Sequence, residues 1–517
     1  MHRLASRLLI VGGLLATGLL APPAGAHAAT GDVGFRDQAF SGSGAGSPTG
    51  EKPESKLWYA VGTWWTVMPG TGTGTGYHLF RLTGHVWADT GTAADDRLGT
   101  RSDVVVTGNR LYVASHVFAG TKSTDDTRRS PSRLYRYSYD TTTGRYTSVG
   151  PPTTINDTSS ETLTLDRDTR GVLWVTWMDH QVPRVGYSVN DGVTWTATLL
   201  RDPTGTAPDP DDISTLAAFG TSVGVLWSNQ RTGAFVFVEH HDADPPTSWQ
   251  PPVVVAQGAG LADDHLNLKG DRAGRLYAVV KTSRNDLPSP VPSDPQVLLL
   301  ARNPTSGAWA RPVTVATVAD CHTRPVLVLD DQHQLLHVFL TGPTTGCAYS
   351  GVTGTIFEKT SPLGSPSFPP GRGLPVMRDA ANDALNSTTA LNNVTAAKNP
   401  VTSTTRVVVL ASEVLTGTPV SGVYWHSEQP AAKPTASFTA TRLTGAAPLP
   451  VTFKDTSSDS PTSWSWTFGD GARSTVRNPS HTYRTAGSYT VTLTARNSVG
   501  SGTVVRTGFI RVAKAGG

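Results

Sequence analysis

DDHLNLKGDRAGRLYAVVKTS, from Asp263 to Ser283, contains the unit from which most of this chain is built: a polar start, an alternating strand, a turn, and a second strand rich in apolar residues. Four more copies are clear. They run from Arg101 to Val117 (RSDVVVTGNRLYVASHV), Ser160 to Met178 (SETLTLDRDTRGVLWVTWM), Asp211 to Asn229 (DDISTLAAFGTSVGVLWSN) and His322 to Thr341 (HTRPVLVLDDQHQLLHVFLT). Weaker copies over Glu51 to Val67 and Asn386 to Ser412 bring the count to about seven, a number that closes a ring of small sheets. The expected fold is all-β, a seven-bladed propeller over residues 31–427.

Composition agrees with this. Ser, Thr, Gly and Pro are abundant and strong helix formers sparse. Lys and Arg total 43 against 40 Asp and Glu, and no basic run or aromatic-basic stripe appears, so a nucleic-acid partner is not expected. Arg3 and Arg7, an apolar run from Leu8 to Leu20 and the small residues ending at Ala28 read as a secretory signal over 1–28. That apolar run is shorter than the roughly 18 residues of a membrane span. A secreted, extracellular monomer without membrane insertion is the expectation. Of the two cysteines, Cys321 opens one strand of a repeat and Cys347 follows its partner strand, so export to an oxidising space predicts a disulfide between them. No metal is expected at two cysteines without a further pair at ligand spacing.

The pattern changes after Glu428 to Pro434 (EQPAAKP), which reads as a linker. From Thr435 onward short period-2 strands alternate with turns, the mark of a small Ig-like β-sandwich. Trp464 to Gly471 (WSWTFGDG), with Asn478 to Tyr483 (NPSHTY) and Gly487 to Val491 (GSYTV), closely resembles the PKD (polycystic kidney disease) domain family over 435–513. The resemblance implies an extracellular spacer or adhesive module.

The larger region resembles, more loosely, the sialidase-superfamily and BNR-repeat propellers. Ser188 to Trp195 (SVNDGVTW) is similar to their Asp-box turn, with Asn190 where that motif has Asp, and implies a structural turn. The arginine triad and FRIP-type motif of true sialidases are missing, so their activity is not implied. DDHLNLK, AVVKTS, HTRP and FEKTSP also look like segments of secreted bacterial propellers that carry PKD modules.

In a propeller the innermost strands run in one direction, so residues at their starts gather around the axis on one face. Those starts carry Arg101 and Asp103, Glu161, Asp211 and Asp212, Asp263 to His265, Asp320, His322 and Arg324, and Asn386. Three readings follow. Glu161, Asp212 and Asp264 are the candidates for a carboxylate pair hydrolysing a glycosidic bond. His265 or His322 is a candidate base for eliminating a uronate whose charge Arg101, Arg324 or Lys269 neutralises, with Asn267 beside them as a binding residue. The third reading is a belt of inter-blade salt bridges, because repeated Asp is what a structural repeat produces. No cofactor is expected, although an axial Asp cluster has the oxygen ligands for Ca2+. The first two readings make the protein a secreted carbohydrate-active enzyme with polysaccharide or cell-surface glycan as partner; a non-catalytic glycan- or matrix-binding protein is the alternative.

Overall fold

A computed structural model describes residues 31–41, 49–50, 52–70, 76–97, 99–117, 130–331, 333–346, 354–383, 389–401, 406–415, 421–429, 433–457, 461, 463–497 and 500–514. The leader at 1–28, Asn386 and Cys347 lie outside them. The chain is all-β, and the only helical turns among the described residues are the short 3-10 segments Arg284–Asp286 and Val318–Asp320. None of the described helices is long and apolar enough to cross a membrane.

Among the described residues, those from Phe35 to Gln429 form seven small antiparallel sheets. Their first strands are Leu57–Ala60, Thr100–Thr107, Leu163–Arg167, Ser214–Phe219, Leu266–Gly270, Thr323–Asp330 and Asn392–Thr395. Each of these touches the next in chain order, and a parallel bridge between Leu57 and Ala397 brings the last sheet back to the first. The last sheet is completed from the other end of the chain, since Phe35–Ser41 pairs with Ser421–Gln429. That final strand reaches two residues into the expected linker.

Neighbouring first strands do not share a backbone ladder, so their polar side chains supply the missing acceptors. Asp103 accepts the Leu165 N–H at 2.6 Å, the Thr164 hydroxyl accepts that of Leu216 at 3.0 Å, Asp166 that of Ala218 at 2.8 Å, and Asn267 that of Leu327 at 3.1 Å. The repeat therefore conserves hydrogen-bond geometry as well as apolar packing. Between sheets, the apolar faces close on one another; Trp65, Leu79, Leu111 and Val113, for example, are all fully buried in one cluster.

Two buried imidazoles stiffen the outer strands. Nδ1 of His426 is 2.7 Å from Asp37, tying the N-terminal strand to the last sheet, and Nδ1 of His337 is 2.7 Å from Glu358, with Asp330 at 3.6 Å from Nε2. Burial alone would lower both pKa values, but the adjacent carboxylates outweigh it and raise each to about 9. An unfolded histidine titrates near about 6.5, so this stabilisation is complete below that pH and disappears as pH rises through about 9. The melting temperature should therefore fall steadily between about pH 7 and 10. Melts that stay level over that range, or a His426→Gln variant that loses as much as the parent, would show that the pairs do not hold the strands.

The C-terminal residues form a three-stranded and a five-stranded sheet. Trp466, Phe468, Tyr483 and Phe453 fill the core between them, while Trp464 is half-buried beneath the Arg477 guanidinium, 5.5 Å from its ring.

Candidate active site at the strand starts

Three of the first strands are preceded by a carboxylate: Glu161 before Leu163–Arg167, Asp211 before Ser214–Phe219 and Asp264 before Leu266–Gly270. One oxygen of each lies within 4.8 Å of the others. The Lys52 ammonium sits between them, ion-paired with Glu161 and Asp264, and its side chain is only 4% exposed. Lys52 arrives with left-handed backbone (φ 49°) from the segment joining the N-terminal strand to the first sheet.

Beside this group, Nδ1 of His265 lies 2.6 Å from Asp263 and 2.6 Å from Asp264. Its Nε2 is buried with no hydrogen-bond partner among the described residues. The other oxygen of Asp263 takes the Lys281 ammonium at 2.5 Å and the Ser283 hydroxyl at 3.1 Å, and Asp286 stands 4.0 Å from that ammonium. Burial opposes ionisation of Asp264, but His265 and Lys52 overcome it and hold its carboxyl well below the usual range. Asp286 is pushed the other way, raised by burial and by the nearby Asp263 and Asp264 against the pull of Lys281.

Behind the cluster runs a chain segment that the five clear copies do not contain, the start of the weaker copy from Glu51 to Val67. Residues 52–56 cross against the polar faces of the first strands, where Asn267 donates to the Pro53 carbonyl at 3.1 Å and Lys269 to the Ser55 hydroxyl at 2.6 Å. The Ser55 N–H reaches Asp103 at 2.6 Å, and the Ser55 carbonyl accepts the Val104 N–H at 2.9 Å. Glu54 and His116, both fully buried, meet at 2.5 Å, and the other nitrogen of His116 is 3.1 Å from the Ser160 carbonyl, one residue before Glu161.

The expected site residues thus divide. Glu161, Asp264 and His265 come together. Asn267 and Lys269 are occupied by the chain's own segment, and burial, with Lys398 nearby, lowers the Lys269 ammonium to about 7. Asp212 is buried in a turn, accepting the N–H groups of Asp209 at 2.5 Å and Gln230 at 3.1 Å, and burial raises it to about 6. Its neighbour Asp211 faces the cluster instead. His322 contacts the Arg372 carbonyl at 2.9 Å, in the loop before the last strand of its own sheet, and the Phe357 ring of that sheet, and burial lowers its imidazole to about 4. Arg101 is buried, donating to the Thr100 carbonyl at 3.4 Å, with its charge facing Tyr77 and Tyr424. Arg324 is half-buried with left-handed backbone (φ 49°). Cys321 is buried next to the Val318–Asp320 turn.

In the Asp-box-like turn, Asn190 accepts the Thr194 N–H at 3.0 Å and Ser188 that of Gly192 at 3.0 Å, contacts that close the hairpin. Lys52, Glu54 and Asp286 were not singled out by the sequence. They lie outside the five clear copies, Lys52 and Glu54 at the start of the weaker copy from Glu51 to Val67.

Comparison with known proteins identifies one part of the chain. Residues 428–512 match the PKD domain family. The chain is similar over this part to the first PKD domain of a Vibrio cholerae metalloprotease, with 37% identity covering 16% of this chain and 96% of that one at a TM-score of 0.14. Over the larger region it is similar to a polysaccharide lyase, with 10% identity, 73% and 90% of the two chains covered and a TM-score of 0.41. It is also similar to an arabinanase of Bacillus subtilis, with 10% identity, 51% and 99% covered and a TM-score of 0.31. No curated protein matches the chain. At these TM-scores no residue correspondence is transferred from the enzymes. The C-terminal residues carry a PKD domain, and the all-β region before it has distant structural neighbours among carbohydrate-active enzymes.

Proposed function

We propose that the protein is a secreted glycoside hydrolase acting on neutral extracellular polysaccharide, with residues 31–427 a seven-bladed propeller of the sialidase-superfamily type and the PKD domain holding it near polymer or cell surface. The supporting observation is the convergence of Glu161, Asp211 and Asp264 from three separate sheets, beside a second carboxylate of Asp264's own sheet, Asp286, that is raised where Asp264 is held low. Such a split is what acid and base roles at one bond require. Asp264 is then the ionised partner, Asp286 the proton donor, and His265 presents Nε2 to a sugar hydroxyl. Lys52 bridges Glu161 and Asp264 and, with His265, keeps Asp264 ionised.

Charge decides the substrate class. Among the described residues, Glu161, Asp211, Asp263 and Asp264 gather around the Lys52 and Lys281 ammonium groups and the His265 imidazole, so carboxylates outnumber these basic groups. A surplus of negative charge repels a polyuronate, since like charges about 4 Å apart cost on the order of 1 kcal/mol even in water and more in a half-buried site. The unpartnered Nε2 of His265 fits the elimination reading in geometry; the surrounding charge opposes it. A screen on neutral and uronate-containing polysaccharides should release reducing ends from a neutral one. Unsaturated products from a polyuronate would favour elimination, and binding without product would favour the glycan-binding alternative.

A further inference from the structure

We infer that the protein has a second saccharide site, at the opposite end of its axis from the carboxylate cluster, which takes one neutral sugar ring. A cavity of about 250 Å³ is lined by Trp58, Tyr59 and Trp64 of the first sheet, Val106 at the far end of strand Thr100–Thr107, and Lys398 and Asn399 of the loop after Asn392–Thr395. Val106 and Tyr59 belong to the closing ends of their strands, whereas Glu161, Asp211 and Asp264 precede the opening ends of theirs. The two sites share no residue, so this inference stands apart from the hydrolase reading.

The lining is that of a sugar site. Most of the wall is apolar or aromatic, with Tyr59 and Trp64 in edge contact at 5.6 Å, which suits the C–H face of a pyranose. Trp64 is 5% exposed and its indole N–H has no hydrogen-bond partner among the described residues, whereas Trp58 donates to Tyr146 at 3.1 Å and Trp65 to the Ala60 carbonyl at 3.1 Å. That N–H is closed off from solvent, so what Trp64 offers a ligand is apolar ring surface. The Asn399 amide, bonded only at 3.5 Å to the Val106 carbonyl, offers a second polar contact at the rim. The Lys398 ammonium is committed to Asp103 and the Leu165 carbonyl, so its charge is already answered and the ligand it leaves room for is neutral.

The test titrates the full chain with glucose, galactose, mannose, xylose and arabinose, and with benzyl alcohol as an apolar probe, following tryptophan fluorescence and ligand NMR. One of the sugars should bind in the millimolar range and more tightly than benzyl alcohol. Trp64→Leu, which removes the ring face, and Asn399→Ala, which removes the amide, should each weaken it about five- to tenfold. Val106→Trp, which fills the cavity, should abolish it, and Asp264→Asn should leave it unchanged. Asn399 lies in a loop, so its variant tests the site even if the tryptophan change disturbs folding. Absence of sugar binding, preference for benzyl alcohol, indifference to the Asn399 and Val106 variants, or loss in Asp264→Asn would each overturn the inference.

Discussion

Asp264→Asn is expected to lower turnover on the responsive polysaccharide by about a thousandfold, the middle of the range for removing a group that moves or attracts a proton at the transition state. The amide keeps the shape of the carboxyl and loses its charge. Lys52 retains Glu161 as partner and His265 retains Asp263, so the fold should survive. Asp286→Asn should cost a similar factor with KM little changed, because that side chain is half exposed and carries little packing. The two variants should differ in their pH profiles. An acid must be protonated to act, so activity should decline as pH rises past the raised pKa of Asp286, and that alkaline limb should flatten in Asp286→Asn. Turnover within about tenfold of the parent in Asp264→Asn, with an unchanged melting temperature, would remove the carboxylates from the chemistry.

His116→Ala should destabilise the protein by about 1 to 3 kcal/mol, the usual cost of taking the partner from a buried hydrogen-bonding group. Glu54 and His116 are both fully buried, and the Leu163 N–H reaches the same carboxylate at 3.4 Å. Removing both partners should recover part of the loss, since the side chain deprived of its partner goes too. Denaturant unfolding of the single and double variants measures this. Because Ser160 leans on His116, the single variant should also lower turnover while Glu161 remains in place. A loss under about 1 kcal/mol would mean that the segment around Glu54 is not fixed by this pair.

Much of this arrangement was legible before any coordinates. The copy from Asp263 to Ser283 contains strands Leu266–Gly270 and Leu276–Lys281, and the motif from Trp464 to Gly471 marks the PKD domain. The rule that strand starts gather on one face brought Glu161 and Asp264 together, and it erred by one residue at Asp211 and Asp212, where neighbouring side chains point opposite ways. What the sequence concealed is non-periodic. Asn267 and Lys269 look like a polar face waiting for a ligand, yet their partners are Pro53 and Ser55, more than 200 positions earlier in the chain. Lys52 follows a Gly/Ser-rich lead at the start of a weak copy, and the ring of sheets brings it to Glu161. His322 stood out by its place at a strand start, but the packing of its own sheet claims it.

Hydrolysis at the Glu161–Asp264 cluster is tested most directly by running the reaction in heavy-oxygen water and weighing the products. Hydrolysis adds one solvent oxygen at each cleaved bond, so every new product pair should carry one label, and Asp264→Asn should yield none above background. Unlabelled, unsaturated fragments, or intact polymer that is bound but never cut, would contradict the account.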